Sequence, residues 1–184
     1  MPKFFVNEEQ IQKEDVKVIG NDVKHIKNVL REKVGNELII CNTSNKKDYL
    51  CKIEEISEEY IKCKIEKELE NNSESNIQVT IMQGLPKADK MELIIQKSVE
   101  LGVYDIIPIE MKRCVVKVNE KDKQKKLQRW QKISEVAAKQ CGRNIIPKIK
   151  PILNLKNICN MLKEYDIVLL AYEKEEKITI KQEL

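Results

Sequence analysis

The sequence predicts two domains of different class, a small, mostly β barrel over residues 1–72 and an α/β domain with a mostly parallel sheet over residues 73–184. Three observations support this division. Apolar and polar residues alternate in the first part, as they do in half-buried strands. Strand and helix patterns alternate in the second part, which is typical of a parallel sheet covered by helices. The polar, turn-rich segment ELENNSESN separates the two patterns.

The first domain contains three strand patterns. The clearest is YIKCKIEKEL (60–69), in which Ile61, Cys63 and Ile65 fall on one side and charged residues on the other. NELIICN and YLCKIEEI are two further candidates, and the polar stretch TSNKKD between them predicts a hairpin loop.

One short helix is also predicted in the first domain. Asn21 can cap it, and Gly35 lies just beyond its end. Its apolar stripe consists of residues three and four apart, namely Val23, Ile26, Val29 and Leu30. The only histidine of the chain, His25, lies in this helix and is interpreted as a partly buried helix residue.

The second domain opens with the strand IQVTIMQ (77–83). After the turn GLPKAD, Asp89 and Glu92 have the spacing of a capping box. The next helix is expected to end at Gly102. Its predicted inner face consists of Met91, Ile94, Ile95, Ser98 and Leu101. VYDIIPI (103–109) is the second predicted strand.

A long helix is predicted from about residue 121 to residue 141, because apolar residues recur at spacings of three and four. These residues are Leu127, Trp130, Ile133, Val136, Ala137 and Cys141. Two prolines keep IIPKIKPI extended, and LKNICNMLKEY predicts a third helix. The unbroken apolar run DIVLLAY (166–172) predicts a buried strand of the parallel sheet.

Several classes of protein are disfavoured. No apolar run approaches the ~20 residues of a membrane span, and the N-terminus lacks the pattern of a signal peptide. The six cysteines form no CxxC pair and lie far from the lone histidine, which argues against a zinc site. The cysteines are therefore expected to be reduced in a cytosolic protein and to serve mostly as small apolar fillers.

The positive charge is concentrated in one block. Residues 112–151 hold 13 Lys and Arg against 3 Asp and Glu, although the whole chain has a net charge of only +4. Two interpretations stay open. The block is either a solvated helix face or a surface for a polyanion, because clustered cations gain affinity by releasing counterions from phosphates.

Ligands of parallel sheets bind beyond the carboxyl ends of the strands, so three loops are candidate sites. They contain Gly84, Pro86 and Lys87 after the first strand, Lys112 and Arg113 after the second, and Tyr172 and Glu173 after Ala171. The segment QCGRN (140–144) should lie at the opposite end. Gly142 is interpreted as the cap of the long helix. The pattern leaves open whether Arg143 is merely its neighbour or binds a phosphate.

Four stretches resemble the RsmE family of ribosomal RNA methyltransferases. They are KMELIIQKSVELGV (90–103), RCVVK (113–117), KLQRWQKISEVAAKQCGRNIIPKI (126–149) and HIKNVLR (25–31). The resemblance implies a PUA-like RNA-binding β-barrel followed by an α/β SPOUT-type methyltransferase domain with a trefoil knot. It also implies a homodimer in the bacterial cytoplasm that methylates N3 of a specific uridine in 16S ribosomal RNA, with S-adenosylmethionine as the methyl donor.

Members of that family continue through a GPEGG-like glycine loop and the threaded segment of the knot, whereas this sequence stops at KITIKQEL. We therefore expect a truncated SPOUT domain that binds RNA but binds S-adenosylmethionine weakly or not at all. A non-catalytic RNA-binding fragment is the alternative. A generic nucleotide-binding enzyme is disfavoured because no GxGxxG follows the strand at 77–83.

The resemblance also suggests individual contacts. Contacts with RNA are expected from Arg31, Lys87, Arg113, Gln140, Arg143 and Asn144, and contacts with the cofactor from Ala171, Tyr172 and Glu173. In a dimer, the partner subunit would bring QCGRN close to the cofactor. The general base that takes the N3 proton stays unassigned, and no metal is expected. An electropositive pocket would stabilise the developing uracil anion.

Overall fold

The structure is a computed structural model that describes residues 1–71, 73–87, 90–112, 119–171 and 179–183. These residues form two sheets, each with its own hydrophobic core. We refer to residues 1–71 as the N-terminal unit and to the described residues from 73 onward as the C-terminal unit.

The N-terminal unit is a six-stranded sheet. Its strands are β1 (Lys3–Val6), β2 (Ile11–Gln12), β3 (Asp15–Ile19), β4 (Glu37–Asn42), β5 (Lys47–Ile56) and β6 (Tyr60–Leu69). They pair in the order β1-β4-β5-β6-β3-β2, with only β1 and β4 parallel. Side chains from β1 and β3 meet in one core, so the sheet curls around it. The three predicted strands are confirmed, and Ile61 and Cys63 of β6 are fully buried.

The helix of the N-terminal unit differs from its prediction. It starts as α1 (Asn21–Lys24), whose expected capping residue is already helical, and continues as a wider π-helical turn over His25–Leu30. The wider turn changes the direction of the side chains. Val29 and Leu30 are therefore exposed instead of completing the apolar stripe. The helix ends at Arg31, which has a left-handed φ of 56°.

The C-terminal unit is a parallel sheet with helices packed against it. Its strands are β7 (Thr80–Gly84), β8 (Asp105–Glu110), β9 (Lys148–Ile149) and β10 (Leu153–Asn154), and its helices are α2 (Lys90–Glu100), α3 (Glu120–Gln140), α4 (Leu155–Met161) and α5 (Ile180–Glu183). A 3-10 turn, Leu162–Glu164, extends α4. β8 is central, with β7 on one side and both β9 and β10 on the other.

Helices α2 and α3 enclose the second core together with β8. Ile95 of α2, Ile106 of β8 and Trp130 of α3 are among its buried members. Three residues predicted on inner helix faces are exposed, namely Leu101, Val136 and Cys141. Leu101 follows the last residue of α2 and is 88% exposed, because the turn carries it away from the core, and Val136 is 45% exposed.

The predicted buried strand at 166–172 is wrong for the described residues. Residues 165–171 have no regular structure and pair with none of the strands that the structure describes. Their apolar side chains, from Ile167 to Leu170, are 46% to 88% exposed. An apolar run favours burial but does not fix which strand it pairs with. The segment does not use the edge of β7 that is left unpaired among the described strands. Asp89 of the predicted capping box lies outside the described residues.

Candidate functional site

The segment QCGRN ends α3 as predicted, with Gly142 at a left-handed φ of 75°. Cys141, predicted to pack, is exposed. The two polar residues that follow Gly142 turn towards the boundary between the two units. Arg143 is 4% exposed and Asn144 is 6% exposed. Both were expected to meet RNA, and neither presents its side chain to solvent in this structure.

The guanidinium of Arg143 is directed at acceptors of the protein itself. Its Nη2 lies 2.6 Å from Oε2 of Glu74, and its Nε donates to the same carboxylate at 3.2 Å. Its Nη1 donates to the backbone oxygens of Val103 at 2.6 Å and Val99 at 3.2 Å. These surroundings do not support a phosphate contact. The hydrogen bonds of Arg143 instead join the segment after β6 to the end of α2.

Glu74 completes this cluster from the segment between the two sheets. It also accepts hydrogen bonds from the backbone N–H groups of Asn144 at 2.8 Å and Ile145 at 3.0 Å. Burial would raise the pKa of Glu74, but the hydrogen bonds from Arg143 and from these two N–H groups outweigh it and hold the pKa below its usual value. The carboxylate is therefore ionised at neutral pH.

A second polar cluster lies next to the first and centres on Asn144. Its Oδ1 accepts hydrogen bonds from Nζ of Lys3 at 2.8 Å and from the side chain of Asn71, and its Nδ2 donates to a backbone oxygen of the N-terminal unit at 2.7 Å. Lys3 also forms a 2.7 Å ion pair with Asp48 and donates to the backbone oxygen of Gly142 at 3.1 Å. Both the oxygen and the nitrogen of the Asn144 side-chain amide thus form hydrogen bonds with the N-terminal unit.

We name these two clusters together the interunit network. Its members are Lys3, Asp48, Asn71, Glu74, Arg143 and Asn144. The first four were not singled out from the sequence. A lysine opening a strand and a carboxylate in a polar linker are typical of solvated residues, so the sequence carries no local signal for this network.

Other candidate RNA contacts are placed differently. Arg31 is exposed at the end of the first helix and Lys87 is exposed in the turn after β7. Gln140 is exposed near the end of α3, where it lines a groove of about 490 Å³ between α2 and α3. Arg113, the fourth candidate outside the network, lies outside the described residues.

The sheet brings two of the three suspected loops to one edge. β7 and β8 are parallel, and Gly84 at the end of β7 pairs with Ile109 near the end of β8. The turns that carry Lys87 and Lys112 therefore leave the same carboxyl edge, and both lysines are exposed. Ala171, also exposed, ends the segment that pairs with none of the described strands. Tyr172 and Glu173 lie outside the described residues.

The cysteines and acidic residues offer little for metal binding. Within the described ranges, no group of His, Cys, Asp and Glu side chains could hold a metal ion. Cys41, Cys51 and Cys63 are buried in the N-terminal unit, and burial raises the pKa of each thiol to about 12. Among the helices that the structure describes, none is long and apolar enough to cross a membrane.

The chain matches known proteins over nearly its full length. An RNA methyltransferase domain matches residues 73–184, and a PUA domain of RNA methyltransferases matches residues 18–66. The ribosomal RNA small subunit methyltransferase E of Bacillus subtilis is 33% identical over 180 residues, which cover 96% of this chain and 70% of the relative. The chain belongs to the RsmE family of ribosomal RNA methyltransferases. The protein of the same name from Mesomycoplasma hyopneumoniae is 34% identical over 95% of this chain and 72% of its own.

Solved structures agree with this family. The crystal structure of ribosomal RNA small subunit methyltransferase E from Neisseria gonorrhoeae bound to S-adenosyl methionine has a TM-score of 0.77, 30% identity, and coverage of 86% of this chain and 64% of its own. A putative methyltransferase from Legionella pneumophila, solved with bound S-adenosyl methionine, has the same TM-score and identity, with 86% and 65% coverage. The RsmE fold of this chain is thus a SPOUT-type methyltransferase unit preceded by a PUA-like unit.

Proposed function

We propose that this protein transfers the methyl group of S-adenosylmethionine to N3 of a specific uridine in 16S ribosomal RNA. The observation that carries the proposal is the 33% identity to ribosomal RNA small subunit methyltransferase E over 96% of the chain. The two solved relatives that hold S-adenosyl methionine support the choice of cofactor. The proposal includes a domain boundary between residues 72 and 73, a trefoil knot, a homodimer and a place in the bacterial cytoplasm.

The proposed RNA surface uses exposed cations of both units. Arg31 in the N-terminal unit and Lys87 in the C-terminal unit are solvent-accessible and make no ion pair with a described residue. We assign phosphate contacts to these two side chains, and further RNA contacts to Arg113 and Gln140. Asn144 serves this surface indirectly, because its side chain bonds to Lys3 and Asn71 of the N-terminal unit. Arg143 holds the turn that carries Asn144 in place through Glu74.

The carboxyl edge of β7 and β8 is the proposed site of methyl transfer, because ligands of parallel sheets bind beyond this edge. Lys87 and Lys112 would repel a sulfonium but attract a phosphate or a uracil anion, so we assign them to the RNA side of the site. We assign contacts with the cofactor to Ala171 and to Tyr172 and Glu173, which follow a run of exposed apolar side chains. When bound, S-adenosylmethionine supplies an electrophilic methyl group.

The chain's own part in the reaction is to orient the RNA and stabilise charge. The N3 proton of uracil must leave as the methyl group arrives, and negative charge then develops on the base. Cations beside the base stabilise this charge, and alignment of N3 with the methyl group supplies much of the remaining acceleration.

Binding of 16S ribosomal RNA at several salt concentrations tests the RNA surface. Arg31→Ala and Lys87→Ala should weaken binding and each reduce the salt slope by about one phosphate contact. Lys47→Ala is the matched control, because Lys47 is half-exposed and paired with Glu68 within the N-terminal unit. Equal affinities for all three variants and the native chain would refute the assignment.

Calorimetric titration of S-adenosylmethionine into the 184-residue chain tests the cofactor site. Heat of binding would support methyl transfer by this chain. Absence of heat, with salt-dependent RNA binding retained, would favour an RNA-binding role for residues 1–184.

A further inference from the structure

We propose that the interunit network consists of positioning residues that hold the PUA-like N-terminal unit at one fixed orientation against the methyltransferase unit. The consequence for catalysis rests on the proposed function. RNA bound to the N-terminal unit would present one uridine to the carboxyl edge of β7 and β8. The reason is that the distance between the RNA-binding surface and this edge is fixed before RNA binds.

Strand β1 shows why the two units meet so closely. Successive side chains of a strand point to opposite faces. Phe4 and Val6 are buried in the core of the N-terminal unit, whereas Phe5 packs against the core of the C-terminal unit. Lys3 lies on the same face as Phe5, and its side chain is only 4% exposed. One short strand therefore serves both cores and carries a buried cation into the boundary.

The polar contacts across this boundary are arranged around one turn. The four residues from Gly142 to Ile145 receive or donate hydrogen bonds on both sides. Lys3 and Asn71 of the N-terminal unit donate to the Gly142 oxygen and the Asn144 side chain. Within the C-terminal unit, Glu74 holds the same turn through the Arg143 side chain and two backbone N–H groups. The segment after α3 is thereby tied to β1 through Lys3, which in turn pairs with Asp48 of β5, and to the linker through Glu74.

A further contact lies beside the network. Nζ of Lys139 in α3 lies 2.9 Å from both carboxylate oxygens of Asp22 in α1. The same ammonium lies 5.7 Å from the centre of the Phe4 ring. Helix α3 is thus joined to the N-terminal unit at two places, its C-terminal turn and the segment that follows it.

The energetics of such groups favour a role in orientation. Buried ion pairs add little stability compared with apolar residues of similar volume, but removing one partner is strongly unfavourable. Rotation of one unit against the other would break the hydrogen bonds from Lys3 and Asn71 to the Gly142 oxygen and the Asn144 side chain. Lys3 and Asn144 would then stay buried with fewer partners, which is costly for polar groups. The network therefore favours the arrangement in which Lys3, Asn71 and Asn144 keep their partners, although Oδ1 of the buried Asp48 has no hydrogen-bond partner among the described residues.

Residual dipolar couplings of backbone amides measure the orientation without RNA or cofactor. The test variant is Lys3→Met with Glu74→Gln, which removes one charge from each cluster and keeps the side-chain volumes similar. The matched control is Lys47→Met with Glu68→Gln, which makes the same chemical changes at an exposed ion pair inside the N-terminal unit.

One alignment tensor should fit both units of the native chain and of the control. In the test variant, the couplings of each unit should still fit one alignment tensor. No single tensor should fit the couplings of both units together. Amide exchange at Asn144 and Ile145 should also accelerate about tenfold or more, because their N–H groups lose a charged acceptor.

A joint fit that survives in the test variant would overturn the proposal, since apolar contacts alone would then set the orientation. A native chain that needs two tensors would overturn it as well. If the double variant loses the fit within a unit, Asn144→Ala alone decides by the same joint fit, because it removes side-chain hydrogen bonds between the units and leaves the Lys3–Asp48 and Arg143–Glu74 ion pairs intact. Failure of RNA binding or methyl transfer would refute the proposed function and leave these couplings unchanged.

Discussion

Replacing Arg143 by alanine separates two explanations of the same residue. The sequence suggested a phosphate ligand, for which loss of the side chain would weaken RNA binding and leave the fold intact. The structure shows a buried guanidinium that spans Glu74 and two backbone oxygens. Loss of the side chain should then destabilise the protein first, and affect RNA only through the orientation of the two units.

The size of the effect follows from what Arg143→Ala leaves behind. Glu74 keeps only its backbone N–H partners, and the oxygens of Val99 and Val103 lose the donor that joins them. Removing one partner of a buried ion pair costs about 3–5 kcal/mol. The side chain of Glu74 is 23% exposed, so water can replace part of the lost solvation. We therefore expect the lower end, about 3 kcal/mol.

Urea unfolding followed by circular dichroism measures this loss directly, with RNA affinity as a second readout. Arg129→Ala is the control, because Arg129 is paired with Glu92 but its side chain is 66% exposed. That variant should lose about 1 kcal/mol or less. An Arg143→Ala protein that unfolds like the native chain but binds RNA much more weakly would refute the structural explanation and restore the phosphate ligand.

Three further predictions concern the core, the pH dependence and the thiols. Ile95→Ala should lower the free energy of unfolding by about 2–5 kcal/mol, whereas Leu101→Ala should change it by about 0.5 kcal/mol or less, as for most exposed sites; a similar loss in both urea titrations would contradict the assigned burial. The depressed pKa of folded Glu74 means that its stabilisation is present above the unfolded carboxyl pKa of about 4.3 and is lost as pH falls through the folded value. Thermal melts of native protein and Glu74→Gln should therefore differ most near neutral pH and converge in acid, and a difference that grows in acid would show the wrong sign. Iodoacetamide should modify the exposed Cys141 and Cys159 in native protein well before the three buried cysteines of the N-terminal unit, as read by mass spectrometry of peptides; equal labelling would show that the N-terminal core opens freely.

Local sequence patterns predicted the helices and strands that depend on interactions between residues close in sequence. The alternation in β6 identified a strand with one buried face, and a glycine at the end of a periodic segment identified the end of α3. β1, β2 and β3 were not predicted, since two to five residues are too few to establish a period. The strand predicted at 166–172 was wrong because hydrophobicity alone does not provide a neighbouring strand to pair with.

The candidate site was harder to predict than the fold, because its contacts are distant in sequence. Arg143 and Glu74 are 69 positions apart, and Lys3 and Asn144 are 141 apart. Residue type suggested only that an arginine after a helix could bind an anion. It could not show that the anion would be a carboxylate of the same chain, because that choice depends on where the segment that follows β6 runs in the fold.

The position of the transferred methyl group tests the central claim most directly. Small ribosomal subunits from cells that lack the modification would be incubated with the protein and S-adenosylmethionine carrying a deuterated methyl group. Mass spectrometry of the digested 16S ribosomal RNA would then locate the label. We predict that the label appears on N3 of a single uridine. A label on another atom or another base, or RNA that is bound but never labelled, would contradict the assignment of this protein as a uridine-N3 methyltransferase.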